Sequence, residues 1–571
     1  MSIDKKDVIR LLETIAIYLE LKGENTFKVS AYRKAAQALE TDDRSLSEIE
    51  DFTKINGIGK GTSSVISEYV ENGESETLAA LEKEVPNGLI PLLDVPGLGG
   101  KKLAKLYQEL GVVDANSLVE ACENGSVEGL SGFGKKSAEK IAKAIKERTN
   151  RPERLPIAFM LPIAERIEQY LAKLEGVERF SRAGSIRRLS ETVKDIDFII
   201  ATTNPTQVKE ALLNIDQTID VVASGETKVS IVLDEGYHVN VDFRMVEPQE
   251  FITTLHHFTG SKDHNVAMRQ LAKQYNQKIN EYGVENTETS EVLTFESEKT
   301  FFQHFGLPYI PPEMRENMGE VDINKAIEVV SKEDIRGDLH MHTTWSDGAQ
   351  SVEEMVQSAR EIGYEFIAIT DHSKFLRVAN GLDEARLRKQ REEIHRLNEK
   401  YSDIHIFAGV EMDILPDGTL DFSDDFLREL DYVIGAIHSS FNQSEEQIMN
   451  RLRTAIENPY VNVIAHPTGR VIGRRPGYAA NVEALIKGAA ETGTVLELNA
   501  NPNRFDLSAE WVKRAQEAGV HIAINTDAHN YRTLKFMELG VGVARKGWLR
   551  KENVINTWKK EDLMKFFSRH R

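Results

Sequence analysis

From residue 336 to the end of the chain, short apolar runs alternate with segments of helical periodicity. The apolar runs are FIAIT, YVIGAIH, VNVIAH, TVLELN and HIAINT. Strands that alternate with helices in this way pair in parallel, because each helix returns the chain to the same end of the sheet. The pattern therefore predicts a parallel, barrel-like βα domain in the last part of the chain.

The whole chain has 571 residues, which is several times the usual domain length of about 150 residues. We therefore expect two to four domains. A single cysteine, Cys122, excludes internal disulfides and cysteine-based zinc sites and fits a reducing compartment. We find neither a signal-peptide pattern nor an apolar run of the roughly 20 residues that span a bilayer. These features predict a soluble, cytoplasmic protein with no membrane partner.

The formal net charge of −20 comes from 71 basic and 91 acidic residues. Taken alone, this charge argues against a nucleic-acid partner. The acidic excess is spread along the chain and does not form a tail. Local basic clusters and backbone N–H groups must therefore supply any contact with DNA, and we expect that contact to be weak and salt-sensitive.

One kind of turn recurs three times in the first 150 residues, which otherwise read as short helices without a strand pattern. In each copy two glycines flank one apolar residue just before a helix, and the pairs are Gly57 and Gly59, Gly97 and Gly99, and Gly132 and Gly134. The free N–H groups at such a helix start suit a phosphate oxygen. A single copy is more often a plain helix cap. Three copies resemble the helix-hairpin-helix domains that bind the DNA backbone.

The central region holds a pair of aspartates, Asp195 and Asp197, in the β-branched run KDIDFII. Because side chains alternate along a strand, both carboxylates leave from one face. A third carboxylate, Asp242, lies in a second strand-like run, VNVDF. Carboxylates placed side by side favour Mg²⁺ or Mn²⁺ ligation, although a bare pair also fits a solvent-facing strand. The upstream segment Gly184-Ser185-Ile186-Arg187-Arg188 fits phosphate binding.

At this point the sequence resembles the palm of the family X DNA polymerases, the family of DNA polymerase β. The segment Phe258-Thr259-Gly260-Ser261, followed by Asn265 and Arg269, is similar to the thumb of that family, and the run FKVSAYRKAA to its small lyase domain. The resemblance covers residues 1 to 315. It implies that Asp195, Asp197 and Asp242 bind two divalent ions and catalyse attack of a primer 3′-oxygen on a dNTP. It further implies dNTP contacts from Gly184, Ser185, Arg188, Phe258, Gly260 and Asn265, and a template contact from Arg269.

Two positions depart from the pattern of this family. His257 stands where an aromatic residue usually precedes Phe258, which bears on the exclusion of ribonucleotides. Val65 stands where the lyase domain carries its imine-forming lysine, and a valine cannot form an imine. The resemblance therefore does not extend to a lysine-based deoxyribose-phosphate lyase.

Ten of the 15 histidines lie after residue 335, and several follow the predicted strands. The C-terminal ends of barrel strands share one rim, where distant residues meet. Histidines and carboxylates without thiols suit zinc, manganese or iron. A lone histidine at a strand end is more often a packed residue, but the set here has nine members: His340, His342, Asp347, His372, Glu411, His438, His466, Asp527 and His529.

This ordered set closely resembles the ligands of the polymerase and histidinol phosphatase family, the PHP domains. The resemblance covers residues 336 to 571 and implies a distorted seven-unit barrel with up to three Mn²⁺ or Zn²⁺ ions that activate water for attack on phosphorus. Arg470, Arg474 and Arg475 follow His466 and suit DNA phosphates, although an exposed arginine loop fits equally well.

The predicted architecture is multidomain. We expect a helical DNA-binding domain at residues 1–85, helix-hairpin-helix fingers at 86–152, an α/β nucleotidyltransferase palm at 153–245 and a thumb at 246–315. A linker at 316–335 and the PHP barrel at 336–571 follow.

Together these features predict a monomeric DNA polymerase that fills short gaps in primed duplex DNA during base excision repair. Its PHP domain would act as a 3′-to-5′ exonuclease or 3′-phosphoesterase, and the family resemblance also allows cutting at abasic sites. Three alternatives remain: a polymerase with a purely structural PHP domain, a DNA-binding repair scaffold, and a small-molecule phosphatase.

Overall fold

A computed structural model describes residues 5–42, 46, 49, 51–95, 98–149, 153–322 and 328–569. The chain divides into two compact units, residues 1–152 and 153–571. None of the described helices is long and apolar enough to cross a membrane.

The first unit is helical, and its described residues contain no strand, as the sequence predicts. Its helices are α1 (Lys5–Lys22), α2 (Thr26–Thr41), α3 (Lys60–Asn72), α4 (Glu76–Glu84), α5 (Gly100–Leu110), α6 (Ala115–Glu123) and α7 (Lys135–Thr149). Side-chain caps fix several of these starts. Asn25 accepts from the Phe27 N–H at α2, and Asp114 and Ser117 form a reciprocal capping box at α6.

The second unit begins with a five-stranded sheet in the order β2-β4-β7-β6-β5. The strands are β2 (Arg179–Arg182), β4 (Asp195–Ala201), β5 (Thr218–Ser224), β6 (Lys228–Asp234) and β7 (His238–Val246), with β1 (Leu155–Pro156) and β3 (Thr192–Val193) as a separate ribbon. Helices α8 (Ile157–Leu171), α9 (Gly184–Arg187) and α10 (Pro205–Leu212) accompany the sheet. Each β-branched run singled out in this region forms a strand.

A smaller mixed segment follows the five-stranded sheet. It contains α11 (Phe251–Thr259), α12 (Lys262–Lys273), the three-stranded sheet of β8 (Gln277–Ile279), β9 (Val284–Asn286) and β10 (Val292–Leu293), and α13 (Glu298–His304). Part of the predicted linker, residues 323–327, lies outside the described residues. On either side of it the backbone is packed, and Glu320 and Val330 are buried.

The last segment is a parallel sheet of seven strands in sequential order. The strands are β11 (Gly337–Asp338), β12 (Phe366–Ile369), β13 (His405–Asp413), β14 (Tyr432–Ala436), β15 (Val463–Ile464), β16 (Val495–Asn499) and β17 (Ile522–Asn525). The helices are α14 (Val352–Ile362), α15 (Glu384–Lys400), α16 (Asp424–Leu427), α17 (Glu445–Glu457), α18 (Val482–Thr492), α19 (Ala509–Glu517), α20 (Met537–Lys546) and α21 (Lys560–Phe567). A parallel bridge between Met341 and Ala528, which lie just after the first and the last strand, nearly closes the barrel. The predicted barrel is thus confirmed.

The five-stranded sheet and the barrel share one apolar core. A single cluster of buried side chains contains Ile196 and Phe243 from the sheet and Val410, Leu452 and Ile524 from the barrel. A second, separate cluster fills the helical unit.

Candidate active sites

Three aspartates meet on the half-buried face of the five-stranded sheet. Strands β4 and β7 are parallel neighbours, and their register places Asp197 directly beside Asp242. Asp195 leaves the same face of β4 two residues earlier, while Ile196 between them is buried. Burial, followed by the charges of Asp195 and Asp242, raises the pKa of Asp197 to about 7. Such a carboxylate cluster gains strongly from a bound cation.

Two basic residues of the sheet contact Asp242 and the Phe258 ring. Lys228 on β6 places its Nζ 3.0 Å from Asp242 Oδ2. Arg244, two residues after Asp242 on β7, stacks over the Phe258 ring at 4.4 Å. Sequence patterns do not single out either cation, because only strand pairing brings β6 and β7 together.

The Gly184-Ser185 turn lies against Asp197. Gly184 has a φ of +62°, and a Cβ at this position would overlap the Asp197 carboxylate, so only glycine fits the approach. The turn opens the short helix α9, and Arg188 caps its end. The Arg188 guanidinium donates to the Thr259 carbonyl, and its Nε lies 3.3 Å from Glu316 Oε1.

The Phe258-Thr259-Gly260-Ser261 turn rests on a buried ion network. Arg187 donates to Thr259 Oγ1 at 2.7 Å and pairs with Glu298 at 2.7 Å. Arg315, fully buried, lies 2.6 Å from the same Glu298 carboxylate. Burial alone would raise the pKa of Glu298, but the two guanidinium groups outweigh it and hold that pKa well below its usual range.

Asn265 and Arg269 lie on α12. Asn265 donates from Nδ2 to the His257 carbonyl at 2.7 Å, and Arg269 is exposed on the same helix. His257 is half-buried and packs edge-on against the Phe258 ring at 4.9 Å.

The three glycine turns of the helical unit share one hydrogen bond. The N–H of the central residue donates to the carbonyl three residues earlier, from Ile58 to Ile55, Leu98 to Val95 and Phe133 to Leu130. All three central side chains are buried. Gly57 and Gly132 have positive φ, while Gly59, Gly99 and Gly134 stand just before α3, α5 and α7. Gly97 lies outside the described residues. Val65 is buried in α3.

The histidine and carboxylate set converges on the C-terminal rim of the barrel. Glu411 on β13 is at its centre, and its Oε1 lies 3.2 Å from His438 Nε2 and 3.0 Å from His466 Nε2. Its Oε2 lies 2.9 Å from His372 Nδ1 and 3.5 Å from both His340 Nε2 and His342 Nε2.

Asp347, Asp527 and His529 complete the set. Asp527 Oδ1 is 3.2 Å from His342 Nε2, and His529 Nε2 is 3.4 Å from Asp347 Oδ1. Three subsets are compact enough to hold an ion each: His342, Asp347, His372 and His529; His340, His342 and Asp527; and His372, Glu411 and His438.

The hydrogen bonding of this cluster fits metal ions. Among the described residues, its buried atoms without a hydrogen-bond partner are His342 Nδ1, His372 Nδ1, Glu411 Oε2, His466 Nδ1 and Asp527 Oδ1. Native proteins seldom leave buried polar atoms unpaired, and an ion is one accepted explanation. Burial, with the neighbouring His529 and His372, lowers the pKa of His342 to about 3, so its imidazole is neutral and able to ligate.

A second layer of carboxylates stands behind the histidines. Glu497 on β16, fully buried, lies 2.7 Å from His340 Nδ1 and accepts the His466 N–H at 2.6 Å. Asp413 lies 3.2 Å from His438 Nδ1. Such partners fix the orientation of metal-binding imidazoles. A charged residue inside the apolar run TVLELN was a sequence signal for Glu497.

The arginines after His466 differ in their contacts. Arg470 pairs with Glu191 of the five-stranded sheet segment at 2.7 Å and donates to the Arg504 and Phe505 carbonyls, so it is a structural link. Arg475 stacks over the Phe441 ring at 4.2 Å, and Arg474 is exposed. Arg504, which sequence patterns do not single out, lies 3.8 Å from Asp527 Oδ2 beside the ligand cluster.

Several parts of the chain match known protein families. Residues 3–75 match a helix-hairpin-helix domain, 89–147 a SAM-like helix-hairpin-helix tandem, 254–316 the DNA polymerase beta thumb and 338–527 the PHP domain. Over 567 residues, 99% of this chain and 100% of the relative, it is 57% identical to the DNA polymerase/3′-5′ exonuclease PolX of Bacillus subtilis (strain 168). The chain belongs to the family X DNA polymerases that carry a PHP domain. The resemblance and fold class predicted from the sequence are confirmed.

Other relatives of this family X polymerase match its PHP barrel alone. A probable phosphatase of Thermoanaerobacter sp. (strain X514) is 29% identical over 235 residues, 38% of this chain and 89% of the relative. A probable phosphatase of Acetivibrio thermocellus is 30% identical over 205 residues, 34% and 78% of the two chains. Family X membership implies DNA and dNTPs as substrates and divalent cations as cofactors.

Proposed function

We propose that this chain is a DNA polymerase that fills short gaps during base excision repair, and a 3′-to-5′ exonuclease through its PHP barrel. The observation that carries the proposal is that one unit contains two separate clusters of possible metal ligands. One cluster consists of carboxylates, and the other consists of histidines and carboxylates. One lies on the sheet beside a phosphate-binding turn, and the other lies on the barrel rim.

In the polymerase reaction, Asp195, Asp197 and Asp242 would together hold two divalent ions. Mg²⁺ or Mn²⁺ in these positions would activate the primer 3′-hydroxyl and neutralise the triphosphate. Gly184, Ser185 and Arg188 bind the triphosphate. The Phe258-Gly260 turn lies along the sugar, Asn265 contacts the base and Arg269 the template. Stacking of Arg244 on Phe258 supports this placement of the turn.

The glycine turns of the helical unit bind the DNA backbone. Gly57, Gly59, Gly99, Gly132 and Gly134, together with Gly97, would let helix N-termini approach phosphates. The recurrent turn hydrogen bond in all three copies supports one shared role. Buried Val65 gives no support to a lysine-based lyase.

In the PHP barrel, up to three Mn²⁺ or Zn²⁺ ions would be held by His340, His342, Asp347, His372, Glu411, His438, His466, Asp527 and His529. Ions at this rim would supply Lewis acidity and an activated water for phosphodiester hydrolysis. Arg504 beside Asp527 then holds a non-bridging phosphate oxygen.

A 3′-phosphoesterase is a second activity of the same rim, and cutting at abasic sites a third. The similarity of this barrel to probable phosphatases favours the phosphoesterase. We also propose that the chain acts as a monomer in the cytoplasm, where its DNA substrate lies.

A gapped duplex with a 5′-labelled primer tests both functions in one assay. With Mn²⁺ and dNTPs the primer should lengthen, and without dNTPs it should shorten. The variant Asp197→Asn should abolish lengthening alone, and Glu411→Gln shortening alone. Lengthening that survives Asp197→Asn would refute the polymerase assignment, and shortening that survives Glu411→Gln would refute the nuclease assignment.

A further inference from the structure

Helix α20 belongs to the barrel in sequence. It also contacts residues 153–322, which form the five-stranded sheet and the mixed segment after it and are called the polymerase segment below. Its side chains Val541 and Val543 are buried in the shared core. On its other side, Gly542 meets Leu189 and Glu313 so closely that a Cβ at this position would overlap Leu189. Arg545 pairs with Glu313 at 2.8 Å. The helix therefore packs against both the barrel and the polymerase segment.

Lys546, the last residue of α20, contacts the part of the polymerase segment that we propose binds the dNTP. Its Nζ lies 2.9 Å from Glu316 Oε1 and 3.4 Å from the carbonyl oxygen of Arg188. The same Glu316 oxygen lies 3.3 Å from Arg188 Nε. The side chains of Lys546, Glu316 and Arg188 are 24%, 25% and 15% exposed, so solvent screens the three charges only in part.

Arg188 is fixed from three directions. Its guanidinium donates to the Thr259 carbonyl, its Nε contacts Glu316, and its own carbonyl accepts from Lys546. Without Lys546, Arg188 would be the one cation of this group left to pair with Glu316. The Glu316 carboxylate would then neutralise the charge of Arg188. The positive charge available to a triphosphate would fall, and the orientation of the guanidinium would loosen.

We propose that Lys546, although it lies in the barrel, is a positioning residue of the polymerase reaction: it holds Glu316 and the Arg188 backbone so that Arg188 faces the dNTP phosphates. This inference rests on the proposed role of Arg188 in binding the triphosphate.

The test is single-nucleotide gap filling by the full chain carrying Lys546→Met. The KM for dNTP should rise about fivefold, the size expected for loss of one partly exposed ion pair. The kcat should change far less, and the exonuclease rate on single-stranded DNA should stay at the wild-type value. Lys546→Arg, which restores the charge, should return the KM to within twofold of wild type.

Lys535→Met is the matched control. Lys535 also belongs to the barrel segment and pairs with Glu165 of the polymerase segment at 2.9 Å, but it does not contact Arg188 or Glu316. The same loss of charge at this position should leave the KM for dNTP unchanged. Arg188→Ala is measured in parallel and should raise that KM more than Lys546→Met does.

The possible outcomes separate the two claims. An unchanged KM in Lys546→Met beside a raised KM in Arg188→Ala overturns the role of Lys546 and leaves the proposed function standing. An unchanged KM in both variants overturns the assignment of Arg188 and this inference with it. A parallel loss of exonuclease rate and melting temperature in Lys546→Met, or a failure of Lys546→Arg to restore the KM, also overturns it.

Discussion

Asp197 and Asp242 stand directly side by side on the parallel strands β4 and β7. Neighbouring strands lie about 4.8 Å apart, so the two carboxylates repel each other whenever both are charged. Lys228 pairs with Asp242 and also favours the charged form of Asp197, but burial, followed by the charges of Asp195 and Asp242, outweighs it and raises the pKa of Asp197 to about 7. Without a bound cation, the two carboxylates therefore lower the stability of the folded protein.

Asp197→Asn should lower primer extension at least about 100-fold, because it removes one of the carboxylates that would hold the divalent ions. The same change should raise the melting temperature in EDTA at pH 8, because it removes a buried charge that opposes folding. Calorimetry and primer extension on one preparation measure both effects. A variant that extends primers normally, or melts below wild type in EDTA, would contradict this account.

The raised pKa of Asp197 also sets a pH dependence. In the metal-free protein this group costs stability as pH rises from about 4 to about 7, because the unfolded carboxylate gives up its proton first. Cation binding must expel the proton below pH 7. Mn²⁺ titrations in buffers of different ionisation enthalpy should show release of about one more proton at pH 6 than at pH 8. Asp197→Asn serves as the reference and should lose this difference.

Glu298→Gln should destabilise the second unit by about 3–5 kcal/mol, because it leaves the buried Arg315 without its carboxylate. The depressed pKa of Glu298 means that its contribution is complete above its unfolded pKa near 4.5 and is lost as the pH falls lower. Urea unfolding at pH 7 measures the change. Glu483→Gln, which breaks an exposed pair with Arg514, should stay within about 1 kcal/mol of wild type.

Glu497→Gln should weaken metal binding by the barrel about 10- to 100-fold without affecting primer extension. Glu497 contacts the ring nitrogen Nδ1 of His340 and accepts from the backbone N–H of His466, so the substitution weakens the contact that orients the His340 imidazole. Metal content after dialysis against graded chelator gives the affinity. Glu491 is exposed on the same barrel, so the variant Glu491→Gln serves as the control. Equal metal content in both variants would show that Glu497 has no role in orienting the ligands.

Local patterns in the sequence were sufficient for much of the architecture. Alternation along β4 predicts that Asp195 and Asp197 share a face, and the apolar runs predict most barrel strands with their ligands at one rim. Strand β13, which contains Gly409, is not among the predicted runs. The structure requires that glycine, because a Cβ there would lie 2.8 Å from the Tyr432 carbonyl oxygen.

The partners of the site residues could not be predicted in the same way. Glu497 lies 157 residues from His340, and Lys546 lies 230 residues from Glu316. Periodicity reports which face a residue occupies but carries no information about which distant face it meets. For the same reason the acidic net charge misleads as a guide to the substrate, because a few local cations decide what the surface binds.

The single apolar core shared by the five-stranded sheet and the barrel has a consequence for cooperativity. Ile196 and Ile524 belong to one buried cluster, so neither half can lose its packing without exposing the other. Calorimetry should record residues 153–571 melting in one transition and the helical unit in another. Removal of either the five-stranded sheet or the barrel would expose part of that core. The polymerase and exonuclease activities therefore depend on one folding unit.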